Sequence, residues 1–289
     1  MMDPGPYLTA AHATTYDPDS GIDNTGIQRC WVQGRAQMTW YPYPSSHNFR
    51  NLKKHWARGE PCPVAFWIGH HPAVSVATNA KIGYPQSHWA SAGGMLGAPL
   101  RLVPSITFGE RLMVPADAEG VIEGRAPVDA WTADGPFGEY TGYLGAQTLA
   151  TRCEVTCITR REDALWHDYG SGLADMLVPD NMTMEARLWS LIRAVAPSLA
   201  NVHVPVSGRR FHAYLQLASP APGEARDALM AALAYRRVKA AFAVDDDIDL
   251  FDERAMLWAI ATRVQWDRDT ITVGGLTGSS LDPSWPLGA

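Results

Sequence analysis

The stretch IQRCWVQGRAQMTWYPYP, residues 27–44, places two short β-type runs, IQRCWVQG and AQMTWYPYP, in direct succession. The same texture extends outward on both sides. YLTAAHATTY precedes it, and PVAFWIGHHP, LRLVPS, ERLMVPA, GVIEGRAP and RCEVTCITR follow, so that β-type runs and turn clusters fill about residues 5–162. Crossovers between parallel strands would need helices between the runs, so this spacing predicts a mainly antiparallel barrel or sandwich. One helix, SHNFRNLKKHWARGE (46–60), interrupts it.

Beyond residue 181 the texture changes. TMEARLWSLIRAVAP (183–197) sets Leu188, Leu191, Ile192 and Val195 at helical spacing, with Thr183 as a capping residue and Pro197 as the stop. Strands near 202–206 and 211–217, a helix over about 223–236, a buried strand VKAAFAV, a helix capped by Asp252 and a last strand TITVGG complete a compact α/β domain. The boundary falls near residues 170–182.

Bulk properties narrow the function classes. A chain of 289 residues that is 46% hydrophobic has material for one large core or two modest ones. Its net charge of -6 gives no electrostatic reason to expect nucleic acid or an anionic membrane as partner. No window approaches the ~18 consecutive apolar residues of a spanning helix, and the N-terminus has no basic or apolar leader, so the expectation is a cytoplasmic protein. Cys30, Cys62, Cys153 and Cys157 fit no zinc or redox spacing and read as reduced core thiols.

Two tempting motifs fail on geometry. In GHHP (69–72) neighbouring strand residues point to opposite faces, so His70 and His71 are poorly placed to share one ion and read as a strand-to-helix turn. VDDDIDLFD (244–252) has Leu250 where a calcium loop turns on glycine, and reads as a strand end entering a capped helix. Arg29 is different. Strand alternation sets it on the face of Ile27 and Trp31, where an unpaired guanidinium is costly to bury, so it needs an anion. ADGPFGEYTGY (133–143) offers Asp134 to pair with it, and Glu139, packed among Phe137 and Tyr140, as an acid whose pKa burial would raise. One acid that pairs beside one that donates is a division of labour suited to proton transfer.

These residues carry a resemblance. GPYLTAAHATTYDPDSGIDNTGIQR, EPCPVAFWIGHHPA, SAGGMLGAPLRLV, VPADAEGVIEG, DGPFGEYTGY, CEVTCITRREDALWH and AVDDDIDLFDERAMLWAIATRVQWDRD, in this order, resemble the UbiD-like decarboxylases that use prenylated FMN. The resemblance implies an α+β fold. A mainly antiparallel split β-barrel of flavin-binding type would cover residues 1–172, followed by a smaller α/β domain over 173–289 that serves oligomerisation. It implies reversible, non-oxidative decarboxylation of an aromatic or α,β-unsaturated carboxylic acid by covalent catalysis on the flavin. Arg29 and Asp134 would form the supporting ion pair, and Glu139 would be the proton donor. Asn24, Ile27, Gln28, Arg29, Ser46, His47 and Lys239 would contact the cofactor. Asn24, His47 and His88 would hold a divalent metal, typically manganese, with potassium as a further candidate ion.

Implied partners are a flavin prenyltransferase that supplies the cofactor, and further copies of the chain or a partner subunit. Against the family pattern, His88 stands where a glutamate ligand is usual and Asp134 where the first acid is usually Glu. The family's N-terminal segment and C-terminal tail are not matched, which leaves a second expectation: a non-catalytic or partner-dependent flavin-binding subunit of a multi-subunit carboxylase or decarboxylase.

Overall fold

A computed structural model describes residues 3–284. It separates into two compact units, Met1–Leu173 and Ala174–Ala289.

The first unit is organised by one antiparallel sheet of nine strands. In spatial order these are Tyr7–Leu8, Cys30–Gly34, Gln37–Trp40, Thr148–Arg160, Gly120–Ala126, Cys62–Ile68, His12–Tyr16 and Asp23–Ile27, with Trp131–Asp134 pairing laterally on Thr148–Arg160. The two runs of residues 27–44 are adjacent here, Val32 lying opposite Met38. The path has two ends, Tyr7–Leu8 and Asp23–Ile27. Among the described residues no pairing joins them, so the sheet is not a closed barrel.

Cys62–Ile68 explains why the sheet has two cores. Successive side chains of a strand point to opposite faces. Val64, Phe66 and Ile68 accordingly pack with Trp40, Leu52 and Trp56, while Ala65 and Trp67 pack with Val74, Trp89 and Leu112. The first face is covered by the helix His47–Ala57, capped by Ser46, whose hydroxyl accepts from the Phe49 amide. The second is covered by the helices Pro72–Ala77 and His88–Leu96 and the hairpin of Leu102–Ser105 with Gly109–Pro115. The GHHP segment is a helix start, His71 Nδ1 accepting from the Ala73 amide. Cys30, Cys62 and Cys153 are buried free thiols, whereas Cys157 is partly exposed because it sits beyond the bulge after Val155.

The second unit holds a three-stranded sheet. Leu199–His203 runs antiparallel to His212–Leu217, which runs parallel to Ala240–Asp245, and the helix Glu224–Leu233 makes the crossover. Asp252 caps the helix Glu253–Arg263 through the Arg254 amide. Three expectations are corrected. The long helix begins at Ala174 and carries Pro179 inside it, so Thr183 is an interior residue that bonds back to the Asp180 carbonyl rather than a cap. It ends at Arg193, which leaves Val195 half exposed while Ala196 takes the core position. TITVGG forms no strand: the chain is irregular there, and residues 270–273 line, together with Ala240–Asp245, a cavity of about 620 Å³ instead of pairing with that strand. No described helix is long and apolar enough to cross a membrane.

Candidate active site

Arg29 lies in the break between Asp23–Ile27 and Cys30–Gly34, where the chain leaves one edge of the sheet for the other end of its strand order. Its guanidinium is almost enclosed, with Phe137 on one side at 4.8 Å from the ring centroid and Tyr41 at 5.3 Å. Burial of this charge demands compensation, and two carboxylates supply it. Asp134 Oδ2 accepts from Nε at 2.9 Å and from Nη2 at 2.7 Å, and Glu139 Oε1 accepts from Nη1. The shorter arm of Asp134 therefore reaches Arg29 in full.

Asp134 ends the strand Trp131–Asp134 and is fully buried. Its second oxygen, Oδ1, accepts from Thr39 Oγ1 at 2.8 Å and from the Tyr7 hydroxyl at 3.3 Å. Between the acids the chain turns through Gly135, whose φ of 87° favours glycine, and whose Cβ would lie 3.2 Å from the Ala146 carbonyl. Glu139 sits at the bend of the small hairpin made by Phe137–Gly138 and Leu144–Gly145, its amide donating to the Tyr143 carbonyl at 2.9 Å. Burial pushes the Glu139 carboxyl above the usual range; Arg29 opposes this and the neighbouring Asp134 charge adds to it.

A second constellation gathers around the edge strand Asp23–Ile27. Asn48 is its hub: Oδ1 accepts from Asn24 Nδ2 and Thr15 Oγ1, both at 2.8 Å, and Nδ2 donates to the Ala13 carbonyl and to Gln28 Oε1. Gln28 Oε1 also accepts from Trp40 Nε1, so its amide oxygen is spent inside the protein. Ser46 is likewise spent as a helix cap. His47, the first residue of that helix, packs its ring against Tyr84, and burial lowers its pKa.

His88 opens the helix His88–Leu96, whose start is bound to Asp23 through the Ser87 hydroxyl and the amides of His88 and Trp89. His88 is 5% exposed. Nε2 faces the Ala80 carbonyl at 3.4 Å, Nδ1 is buried without a partner, and burial lowers the pKa to about 4, with His47 near enough to add to the effect. With the proton on Nε2, Nδ1 presents a lone pair. Among the described residues no three His, Cys, Asp or Glu side chains group as a metal site. What the edge offers a cation is two neutral imidazoles, His47 and His88, and the Asn24 amide. Ile27 ends the strand, and no atom comes within 4 Å of a Cβ built on Gly26, so there is room beside it. Lys239 belongs to the second unit, where Nζ pairs with Asp282 at 2.9 Å.

Arg29, Asp134 and Glu139 are thus together, and Asn24, Gln28, Ser46 and His47 cluster around Asn48 and its helix. Sequence reasoning did not single out Tyr7, Thr39 or Asn48. Asn48 had a signal, a polar residue on the buried stripe of an amphipathic helix. Thr39 and Tyr7 had none, because their partner is 95 and 127 residues away.

Arg29 is thus a guanidinium held between two acids, directly after the strand Asp23–Ile27 that ends the sheet's strand order. The chain belongs to the UbiD family of carboxy-lyases. The family model for the 3-octaprenyl-4-hydroxybenzoate carboxy-lyase Rift-related domain matches residues 1–173, and that for the C-terminal domain matches residues 180–289. Among curated relatives, the anhydromevalonate phosphate decarboxylase of Methanothermobacter thermautotrophicus is 31% identical over 98% of this chain and 66% of its own. The phenolic acid decarboxylase of Sedimentibacter hydroxybenzoicus is 26% identical over 98% of this chain and 61% of its own. Among solved structures, the UbiD-class enzyme HmfF from Pelotomaculum thermopropionicum in complex with FMN superposes with a TM-score of 0.95 at 35% identity, covering 99% of this chain and 64% of HmfF. An evolved dimeric form of HmfF in complex with prenylated FMN gives 0.89 at 35% identity, covering 93% and 63%. The chain therefore spans a little under two thirds of the length of these relatives.

Proposed function

We propose that the protein catalyses reversible, non-oxidative decarboxylation of an aromatic or α,β-unsaturated carboxylic acid with prenylated FMN as cofactor. The observation that carries this is Arg29 held between Asp134 and Glu139. The cofactor supplies the electron sink that protein side chains lack. Asp134 keeps Arg29 in place, Arg29 receives the substrate carboxylate, and Glu139 delivers a proton to the carbon that loses CO2.

Charge balance supports this division. One guanidinium beside two ionised acids would carry a net negative charge and repel an anionic substrate; with Glu139 protonated the triad is neutral. The upward-shifted Glu139 favours that state. A glutamate donor works only while protonated, so the rate should fall as pH rises through its raised pKa.

The residues present fit the cofactor and its metal. The free edge of Asp23–Ile27 with the space beside Gly26 would take the flavin, in a sheet we read as the split-barrel type. His88 Nδ1, His47 and Asn24 would hold a divalent ion near its phosphate. Two imidazoles and an amide are a neutral set, better suited to borderline metals such as zinc or cobalt than to hard ones, with manganese between. Lys239 remains proposed as a phosphate contact, and the second unit as the self-association domain. Its helix Glu253–Arg263 leaves Leu257 and Trp258 more than half exposed.

The test is co-expression with a flavin prenyltransferase, followed by native mass spectrometry and CO2 release from a panel that includes 3,4-dihydroxybenzoate and anhydromevalonate phosphate. Bound prenylated FMN with turnover of at least one acid is expected. Tight binding of the cofactor with no turnover of any acid would overturn the catalytic reading in favour of a flavin-binding subunit.

A further inference from the structure

We infer that Tyr7 is a positioning residue: its side chain sets how Asp134 and Glu139 are presented to Arg29. The inference rests on the functional reading above and adds to it a residue outside the triad.

Tyr7 touches the acid-bearing turn at three points. Its hydroxyl donates to Asp134 Oδ1 at 3.3 Å and accepts from the Gly135 amide at 3.0 Å, and its ring packs on Phe137 with centroids 4.6 Å apart. Phe137 is the ring that flanks the Arg29 guanidinium. Gly135 and Phe137 are two of the four residues that link the acids, so holding them together with Asp134 constrains the bend on which Glu139 sits. Burial and the Asp134 charge push the Tyr7 hydroxyl up to about 12, so it remains a donor throughout the working range.

The other end of Tyr7 is tied to Arg29. Tyr7 and Leu8 pair with Trp31 and Cys30, the residues that follow Arg29 in the chain, and the Val32 amide donates to the Pro6 carbonyl. Contacts therefore form a closed circuit from Arg29 through Cys30, Leu8 and Tyr7 to Asp134 and back to Arg29. The two-residue strand is too short to hold itself against the sheet. Neighbouring contacts hold it: Gly5 lies so close under the Trp31 indole that a Cβ there would come within 2.6 Å of Nε1, and Thr9 Oγ1 donates to the Tyr169 carbonyl at 2.8 Å. Asp3 Oδ1 accepts from the Gly138 amide at 3.3 Å, one residue before Glu139.

The experiment is Tyr7→Phe, which keeps the ring and removes both hydrogen bonds, in full-length protein loaded with prenylated FMN. Three readouts apply: steady-state kinetics on whichever panel acid the wild type turns over fastest, hydrogen exchange across residues 135–145, and the titration of Glu139 followed by carbon-13 NMR of labelled glutamate carboxyls, assigned with Glu139→Gln. Misplacement of the donor predicts kcat lowered about tenfold with KM within about twofold. Exchange across 135–145 should quicken. The Glu139 midpoint should move down as the loosened turn admits water to its carboxyl and weakens the burial that raises it, taking the descending limb of the rate profile with it. Loss of global stability alone would shift neither midpoint nor limb. Unchanged exchange and an unchanged Glu139 midpoint in Tyr7→Phe would overturn the inference. So would a wild-type Gly135 amide that exchanges as fast as an open loop, a measurement needing no variant. If the wild type turns over no acid, the functional reading falls, and exchange and titration still decide the role of Tyr7.

Discussion

Glu139 is held from three directions: Arg29 on its carboxylate, the Tyr143 carbonyl on its amide, and Gly145 under its side chain. A Cβ built on Gly145 would come 3.0 Å from Glu139 Oε1 and 3.1 Å from Cγ. Gly145→Ala should therefore displace the carboxyl by a few tenths of an ångström, lowering kcat about tenfold while the thermal midpoint barely moves, as activity and melting assays would show. Arg29 itself was legible in the sequence, because a guanidinium among apolar strand residues calls for an anion and few acids were placed to answer. The raised pKa of Glu139 was legible for a similar reason, from its aromatic neighbours. Tyr7 and Thr39 were not, since a hydroxyl that bonds a carboxylate across the sheet leaves no local pattern.

At the scale of elements, the helix His47–Ala57 is tied to the sheet through polar contacts as well as through Leu52 and Trp56. Asn51 Nδ2 donates to Thr15 Oγ1 at 3.0 Å, and that hydroxyl donates in turn to Asn48. Asn48→Ala would leave the Asn24 amide and the Thr15 hydroxyl without their acceptor in the interior. The expected loss in denaturant unfolding is about 2–3 kcal/mol, with flavin affinity falling alongside because Asn24 is released. Leu52→Ala, which opens a cavity in a fully buried site, should cost about 2–5 kcal/mol in the same assay without altering the Glu139 titration. Most β-runs of the first unit could be read directly, but Asp23–Ile27 and Trp131–Asp134 could not, because DNTGI and WTAD carry little β-type patterning of their own. TITVGG misled because β-propensity records fitness for a sheet and cannot supply the neighbouring edge. The long helix was begun too late because Pro179 and the PDN segment resemble a terminus, although a proline can be carried inside a helix when the packing of Leu177, Met184 and Leu188 holds both sides.

For the whole molecule, family matches over both compact units place the chain in the UbiD family. The same resemblance that named the family from ordered motifs could not give the hydrogen-bonded ring of contacts around Arg29. If the edge of Asp23–Ile27 is the flavin site, FMN at about a hundred times its Kd should raise stability by about 2.7 kcal/mol. His88→Ala should reduce both that gain and the amount of divalent metal retained, read by thermal unfolding and elemental analysis. The most direct measurement is the pH–rate profile of the protein loaded with prenylated FMN, taken beside Glu139→Gln. With Glu139 as donor, the wild-type rate should descend with rising pH at a midpoint above that of an ordinary glutamate, and Glu139→Gln should show no turnover at any pH. A Glu139→Gln variant that decarboxylates at close to the wild-type rate would contradict it.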